Sequence, residues 1–370
     1  MKTFNILNVS SKFAICGLPL RADTYKTCSF GCAYCFSNNR KIMEFEKTLQ
    51  IGNLKQLEKT LNRVLDRKDI KPDNFIDVLL SNGFTWHLGG MSDPFQPCED
   101  TYHVTEELYR MTAKYGISIL ASTKSCNLYG AWKYLNPDLH TFQMSVSNVF
   151  NHSIEPNIPK IEQRLRLYKE LKQKGFRVGI RIQPFIPGIT TTDIIDMFND
   201  ADHFVIEGIK LVPQNASHVC KVLEMTGLDK SLFTQMGLLN LKPEIRLSLY
   251  NAFIDKFERE HLSYSIADND MHDMGTSMCC CGDALITKSA GFDTTAMTHK
   301  FGTNYTLEQV KTELCLHQCS DCKCSHLFTS NRTNGCSTVS EFYDERFNKP
   351  SSPFSPKFLY QNVSRELPNG

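Results

Sequence analysis

Short apolar runs alternate with amphipathic stretches over residues 54–212. Leu54, Leu57 and Leu61 recur at the spacing of a helix buried on one side, whereas the run 117–121 is apolar enough to predict a buried strand. Helices are predicted over 54–67, 103–115, 128–135, 160–174 and 194–198. Strands are predicted over 84–90, 117–121, 141–147, 177–186 and 204–212.

This alternation indicates β-α-β units and a parallel sheet. With a further strand before the first cysteines, the chain holds about six such units. The predicted fold class is α/β, a partial (β/α)6 TIM-like barrel, and a doubly wound sheet is the alternative. In both architectures the chemistry belongs at the carboxyl ends of the strands, which is where the conspicuous motifs of this sequence fall.

The pattern changes near residue 270. A last strand-like run covers 262–267, after which the alternation stops, cysteines become frequent, and the chain beyond 328 is rich in Ser, Thr, Asn and Pro. We therefore predict a barrel core over 1–270 and a cysteine-rich, metal-binding extension with a tail over 271–370.

Charge and hydropathy narrow the class of partner. The 370 residues carry 41 Lys and Arg against 40 Asp and Glu, a net charge of +1, which predicts a small substrate and no extended nucleic acid. The sequence shows no signal-peptide pattern and no apolar stretch long enough for a bilayer, so a cytoplasmic protein without a membrane partner is expected.

Cysteine usage points to metal ligation, because 15 thiols in a reducing compartment are not expected to form disulfides. Cys28, Cys32 and Cys35 have C-x3-C-x2-C spacing, which can hold three corners of an iron–sulfur cubane and leave the fourth iron open. The alternative, a zinc knuckle, needs a fourth ligand nearby, and the nearest histidine in sequence is His87.

This motif, with Tyr34 directly before its last cysteine, resembles the signature of the radical S-adenosylmethionine (SAM) superfamily. The resemblance implies a 4Fe–4S cluster on Cys28, Cys32 and Cys35, with SAM bound to the open iron and Tyr34 beside the adenine. It also implies an electron donor such as flavodoxin or ferredoxin. In that family SAM is cleaved to a 5′-deoxyadenosyl radical, which abstracts hydrogen from a substrate.

Further motifs resemble the spore-photoproduct-lyase-like branch of that superfamily, over roughly residues 15–212. Gly89, Gly90 and Met91 resemble its Gly-Gly-Glu element, with Met in place of Glu. The segments 89–99, 122–125, 145–148 and 181–188 resemble its strand-end motifs. The resemblance implies that SAM is contacted by these residues: Tyr34, Gly89, Gly90, Met91, Ser145, Ser147, Arg181 and Gln183.

Three carboxylates are candidate substrate contacts. Asp93 lies in the loop after a strand and is also a catalytic candidate, although an Asx turn explains it equally well. Asp268 and Asp270 follow the strand-like run 262–267. His87 is interpreted as a core residue whose hydrogen bonds are satisfied within the protein.

A second metal site is predicted from the eight cysteines between 279 and 336. Its candidate ligands, of which a subset would be used, are Cys279, Cys281, Cys315, Cys319, Cys322 and Cys324. Structural zinc is favoured over an auxiliary 4Fe–4S cluster, because the segment before Cys315 looks helical and the motif is not at a strand end.

The leading functional hypothesis is a radical SAM lyase acting on a nucleobase-like small molecule. A relative of similar plan, queuine lyase, releases 7-aminomethyl-7-deazaguanine from queuine by C–N cleavage, which makes queuine the named candidate substrate. The alternatives are a DNA photoproduct lyase, with Cys98 as hydrogen donor, and a non-enzymatic zinc or iron–sulfur interaction protein.

Overall fold

A computed structural model of the protein describes residues 2–10, 18–39, 48–67, 75–150, 153–236, 238–268, 271, 274–277, 279 and 281–287. The strands are β1 (Thr3–Phe4), β2 (Leu7–Val9), β3 (Leu20–Ala22), β4 (Ile51–Gly52), β5 (Trp86–Leu88), β6 (Ile119–Thr123), β7 (His140–Ser145), β8 (Val178–Phe185), β9 (His203–Gly208), β10 (Lys210–Leu211), β11 (Phe233–Met236), β12 (Leu238–Leu241) and β13 (Tyr264–Ile266). The α-helices are α1 (Leu54–Leu61), α2 (Phe75–Ser81), α3 (Glu99–Tyr102), α4 (Val104–Ala113), α5 (Ile161–Gln173), α6 (Asp193–Met197), α7 (Ala216–Thr226) and α8 (Pro243–Arg259).

The main sheet has the order β13-β9-β8-β7-β6-β5-β3-β2. All neighbours from β13 to β3 are parallel, and only β2 runs antiparallel, beside β3. The predicted α/β class with a parallel sheet is therefore confirmed, and each predicted strand has a counterpart in this sheet.

The two faces of the sheet differ in chemistry because successive side chains of a strand point to opposite sides. One face, with Ile119, Ala121, Phe142 and Met144, packs against the helices in the main hydrophobic core. The other is called the polar face below. It carries Arg21, His87, Ser122, Gln143 and Arg181.

Part of the polar face is covered by residues 279 and 281–287. The carbonyl of Cys281 accepts from Gln143 Nε2 at 2.8 Å, and that of Leu285 accepts from Thr141 Oγ1 at 2.6 Å. Cys279, Cys281 and Leu285 also form a small apolar cluster with Leu18 and Leu120. This stretch of the predicted C-terminal extension thus packs on the sheet, while the boundary near 270 stays a prediction.

Helix ends follow local chemistry. The Asn53 side chain caps α1 by accepting from Gln56 N at 3.0 Å, and Asn215 caps α7 in the same way. The predicted helix 54–67 is α-helical only to Leu61 and continues as a π-helix over Asn62–Asp66. The predicted helix 128–135 is a 3-10 helix over Tyr129–Tyr134.

The sequence interpretation missed α8 and the small antiparallel sheet of order β10-β12-β11. Residues of that sheet and of α7 form a second apolar cluster with Phe30, Cys32 and Tyr34, so this unit packs against the cysteine loop. No helix within the described ranges is both long and apolar enough to cross a membrane.

Candidate active site

The loop carrying Cys28, Cys32 and Cys35 follows β3 directly and is anchored to the loop after β5. Gln96 is buried, and its amide holds both sides of Cys28. Its Oε1 accepts from Ser29 N and its Nε2 donates to Thr27 O, both at 2.8 Å. A side chain that pairs with the backbone in this way fixes the loop much as a neighbouring strand would.

The two ends of the cysteine loop are also joined to each other. Asn38 donates through Nδ2 to Cys28 O at 3.1 Å and through its backbone N–H to Cys35 Sγ at 3.5 Å. Gly31 has φ +64°, a conformation that glycine adopts without strain, and a side chain there would approach Asn157. The loop is therefore compact and held from several sides.

Burial dominates the titration of the cysteine thiols. It raises the pKa of Cys32 to about 12 and raises that of Cys28 further, with smaller increases from Asp93 at Cys28, from Glu155 at Cys32 and from Cys35 at both. Buried thiols of this kind hold their protons, and bound iron would take the place of those protons.

Within the described ranges, no three His, Cys, Asp or Glu side chains form a group that could hold a single metal ion. A cubane sets a different requirement, because each thiolate binds its own iron and the sulfurs need not converge on one point. A cluster on the three cysteines stays a prediction.

Tyr34 lies in a buried polar group beside the loop. Its hydroxyl bonds Glu155, which also accepts from Lys124 Nζ at 2.9 Å and from Asn148 Nδ2 at 3.2 Å. Burial favours the protonated acid, but the charges of Lys124 and Arg164 outweigh it and lower the pKa of Glu155 to about 2. Tyr34 is thus fixed in position by an ionised carboxylate.

The Gly89-Gly90-Met91 turn wraps around Asp23, the residue after β3. Met91 N donates to Asp23 Oδ1 at 2.8 Å. Burial raises the pKa of Asp23 to about 6 despite backbone hydrogen bonds from the turn. Gly89 has φ +90°, and a side chain at Gly89 would meet Ser122 O at 2.6 Å, so this position requires glycine.

Asp93 joins the loop after β5 to the end of β6. Its carboxylate accepts from Thr123 Oγ1 at 2.8 Å, from Lys124 N at 2.6 Å and, as in an Asx turn, from Phe95 N at 2.9 Å. Burial raises its pKa. Its roles in catalysis and in substrate binding stay predictions, and the geometry gives it a structural task as well.

The other predicted SAM contacts lie at the ends of β7 and β8. Ser145 is half-buried and Ser147 is buried, and Arg164 of α5 donates to the carbonyl of Ser145. Arg181 and Gln183 bond each other and reach Glu207 on β9. These residues share one end of the sheet with the cysteine loop, and their contacts with SAM stay predictions.

Asp268 lies after β13 and is held by other residues of the protein. It accepts from Tyr250 at 2.8 Å and from Gly208 N at 3.1 Å, and it pairs with Arg246 at 3.1 Å. Asp270, Cys315, Cys319, Cys322 and Cys324 lie outside the described residues. Cys279 and Cys281 are buried.

Sequence reasoning missed four residues that organise the site: Asp23, Gln96, Glu155 and Arg164. Gln96 stood inside a strand-end motif, and Asp23 directly follows a strand, so position could have indicated both. Glu155 and Arg164 carry no such signal, because only the fold brings α5 and the loop after β7 beside the cysteines.

Comparison with known proteins gives one related sequence and several related folds. No family model matches. The chain is 23% identical over 172 residues to the Radical SAM Nalpha-GlyT isomerase of Pseudomonas phage M6, a match that covers 45% of this chain and 33% of that protein. The matched part thus spans about a third of the length of that relative.

Solved structures of spore photoproduct lyase share the fold. The lyase complexed with dinucleoside spore photoproduct aligns with a TM-score of 0.50 at 12% identity, covering 67% of this chain and 76% of the lyase. A variant of the lyase gives a TM-score of 0.51 with the same identity and coverage. The chain is therefore similar in sequence to a radical SAM isomerase, and its fold is like that of spore photoproduct lyase.

Proposed function

We propose that the protein binds a 4Fe–4S cluster through Cys28, Cys32 and Cys35 and uses SAM for radical chemistry on a small, nucleobase-like substrate. One observation carries this proposal: the three thiols lie in one loop after β3, and hydrogen bonds join that loop to the segment after β5. Gln96 bonds the backbone beside Cys28, and Met91 of the glycine turn donates to Asp23 at the start of the loop. When bound, the cluster would supply the electron that cleaves SAM and so starts hydrogen-atom abstraction from the substrate.

The residues around this loop would bind and orient SAM. The backbone at Gly89 and Gly90 can approach a ligand closely, and Met91 leaves the turn without the usual acid. Asp23 lies beneath the same turn and supplies a carboxylate there. Tyr34 would line the adenine, with Ser145 and Ser147 on the neighbouring strand end.

Queuine lyase is the candidate activity. The spore photoproduct lyase with the shared fold binds a dinucleoside, and a deazaguanine is likewise a nucleobase-like ring, which supports a substrate of this broad class. Asp93, Asp268 and Asp270 are the proposed substrate contacts. Flavodoxin or ferredoxin is the proposed electron donor in a cytoplasmic setting. A subset of the C-terminal cysteines is proposed to hold zinc: Cys279, Cys281, Cys315, Cys319, Cys322 and Cys324.

The test is anaerobic reconstitution followed by chromatography of the SAM products. We expect the reduced protein to form 5′-deoxyadenosine, and Cys32→Ala to lose it together with the bound iron. Cys220→Ala, at an exposed site on α7, is the matched control and should behave as wild type. Absence of 5′-deoxyadenosine from iron-loaded wild type would refute the proposal. With queuine present, unchanged queuine would remove the queuine lyase assignment alone.

A second candidate is a photoproduct-lyase-type repair enzyme, favoured by the state of Cys98. Burial and the neighbouring Glu99 raise the pKa of Cys98 to about 12, so it stays a thiol with a hydrogen atom to donate. Repair of a spore photoproduct dinucleoside by wild type and its loss in Cys98→Ala would support this activity. No repair by wild type would exclude it.

A further inference from the structure

Three side chains of the polar face, Arg21, His87 and Arg181, are not used by the glycine turn. Arg21 on β3 and His87 on β5 are register partners, so their side chains point to the same side of the sheet. Burial and the positive charges of Arg21 and Arg181 hold the pKa of His87 well below its usual value. Arg181 reaches the neighbourhood of His87 through Gln143, whose Oε1 lies 3.4 Å from Arg181 NH1 and also accepts from Ser122, the partner of His87.

A chain of hydrogen bonds fixes the proton on His87. Gln143 donates Nε2 to Cys281 O, so its Oε1 must be the acceptor for Ser122 Oγ at 3.2 Å. Ser122 has then used its only proton, and its oxygen accepts from His87 Nε2 at 3.1 Å. His87 consequently keeps Nδ1 as an acceptor.

Arg21 has an unmet hydrogen-bonding demand. Its Nε is buried and has no hydrogen-bond partner within the described ranges. Its guanidinium lies against Gly90, where an added Cβ would be 3.1 Å from NH1. A buried donor without a partner is costly, and a glycine beside it is where a ligand can come close.

The nearby carboxylates are already paired. Glu207 bonds Gln183 and Lys210 and lies 3.5 Å from Arg181, and Asp268 pairs with Arg246. Asp23 faces the Met91 N–H. The charge of Arg21 acts on the Asp23 carboxylate, so among these described residues four cations (Arg21, Arg181, Lys210 and Arg246) face three acids (Asp23, Glu207 and Asp268), and the group as a whole keeps one positive charge in excess.

We propose that Arg21 and Arg181, on either side of His87, bind an oxyanion of the substrate, a carboxylate or a phosphate, while His87 Nδ1 accepts from an N–H or O–H beside it. This inference rests on the proposed function and deepens it, because it assigns Arg181 to the substrate rather than to SAM. It applies to a nucleobase-like substrate that carries a carboxylate or a phosphate. Queuine carries neither, so anion binding at this site would set aside the queuine lyase assignment and leave the proposed radical SAM chemistry in place.

The test measures binding of inorganic phosphate and of acetate to the SAM-loaded protein by calorimetry at constant ionic strength. We expect at least one of the two to bind, and the preferred one identifies the oxyanion. Arg21→Met and Arg181→Met should each weaken it by about tenfold or more. Arg166→Met, at an exposed site on α5, should leave it unchanged. If the Met variants fold poorly, Arg21→Lys and Arg181→Lys replace them in the test. These variants keep the charge and should retain part of the anion affinity.

Affinity for SAM, measured by equilibrium dialysis, shows whether the site binds an oxyanion of the substrate or the carboxylate of SAM. It should change less than about twofold in the Met variants if the site belongs to the substrate. A parallel loss of SAM affinity would overturn the inference in favour of the SAM carboxylate, and so would a wild-type protein that cleaves SAM but binds neither anion. The proposed function fails separately, if iron-loaded wild type does not cleave SAM.

Discussion

Single side chains hold the cysteine loop in place, and Gln96 does so most directly. Its two hydrogen bonds go to the backbone on either side of Cys28 rather than to a thiol. Glu155 acts similarly on Tyr34. The cysteine loop thus depends on residues that lie outside its own cysteine motif.

Replacing Gln96 should loosen the cluster loop. Gln96→Leu removes both hydrogen bonds and leaves a buried N–H and C=O unpaired, at a cost of about 2–5 kcal/mol. We expect the anaerobic variant to lose iron faster than wild type does. The loss is measured as the decay of the charge-transfer absorbance of the cluster. Gln173→Leu, at an exposed site on α5, is the control. Iron release as slow as in wild type would contradict this role.

Asp23 should make stability depend on pH. Its folded pKa of about 6 lies above the ordinary aspartate value of 3.8, so the folded state binds the proton more tightly than the unfolded state does. Relative to Asp23→Asn, wild type should lose stability as pH rises from about 4 to 6, by about 2–3 kcal/mol. Urea unfolding at pH 4.5 and 7 measures this, and a constant difference between the two proteins would argue against it.

At the scale of elements, residues 281–287 complete the polar face by fixing Gln143 and Thr141. Their close approach depends on a glycine. Gly282 has φ +88°, and an added Cβ would lie 2.3 Å from the ring of His203. The imidazole is itself held between Ser263 and Ser265, so it has little room to move.

Gly282→Ala should therefore displace this segment. Gly116→Ala is the matched control, because Gly116 has φ +61° but no atom within 4 Å of an added Cβ. The control should cost about 1 kcal/mol of backbone strain, and Gly282→Ala about 1–3 kcal/mol more for the steric overlap. Equal midpoints in urea unfolding would mean that the segment does not pack as described.

At the scale of the whole molecule, the proposed metal content separates two groups of cysteines. If the C-terminal cysteines hold zinc, elemental analysis should find about four iron atoms and about one zinc per chain. The triple variant Cys28→Ala, Cys32→Ala, Cys35→Ala should lose the iron and keep the zinc. About eight iron atoms in wild type would instead indicate an auxiliary cluster.

The sequence alone determined the main parallel strands and the cysteine motif, because both are local patterns. Periodicity is a property of neighbouring residues, so the strands at 119–123 and 140–145 were predicted to within two residues. The C-x3-C-x2-C spacing and the glycine turn also lie within short segments, and these motifs by themselves indicate the radical SAM superfamily.

Only the tertiary structure decided which distant residues share the site. His87 is buried and bonded to Ser122, as the sequence interpretation expects, but only sheet register shows that it lies beside Arg21. Residues 281–287 follow the last strand of the sheet and still fix Gln143. Such contacts join residues far apart in the chain, and their energies depend on burial and geometry that no local pattern encodes.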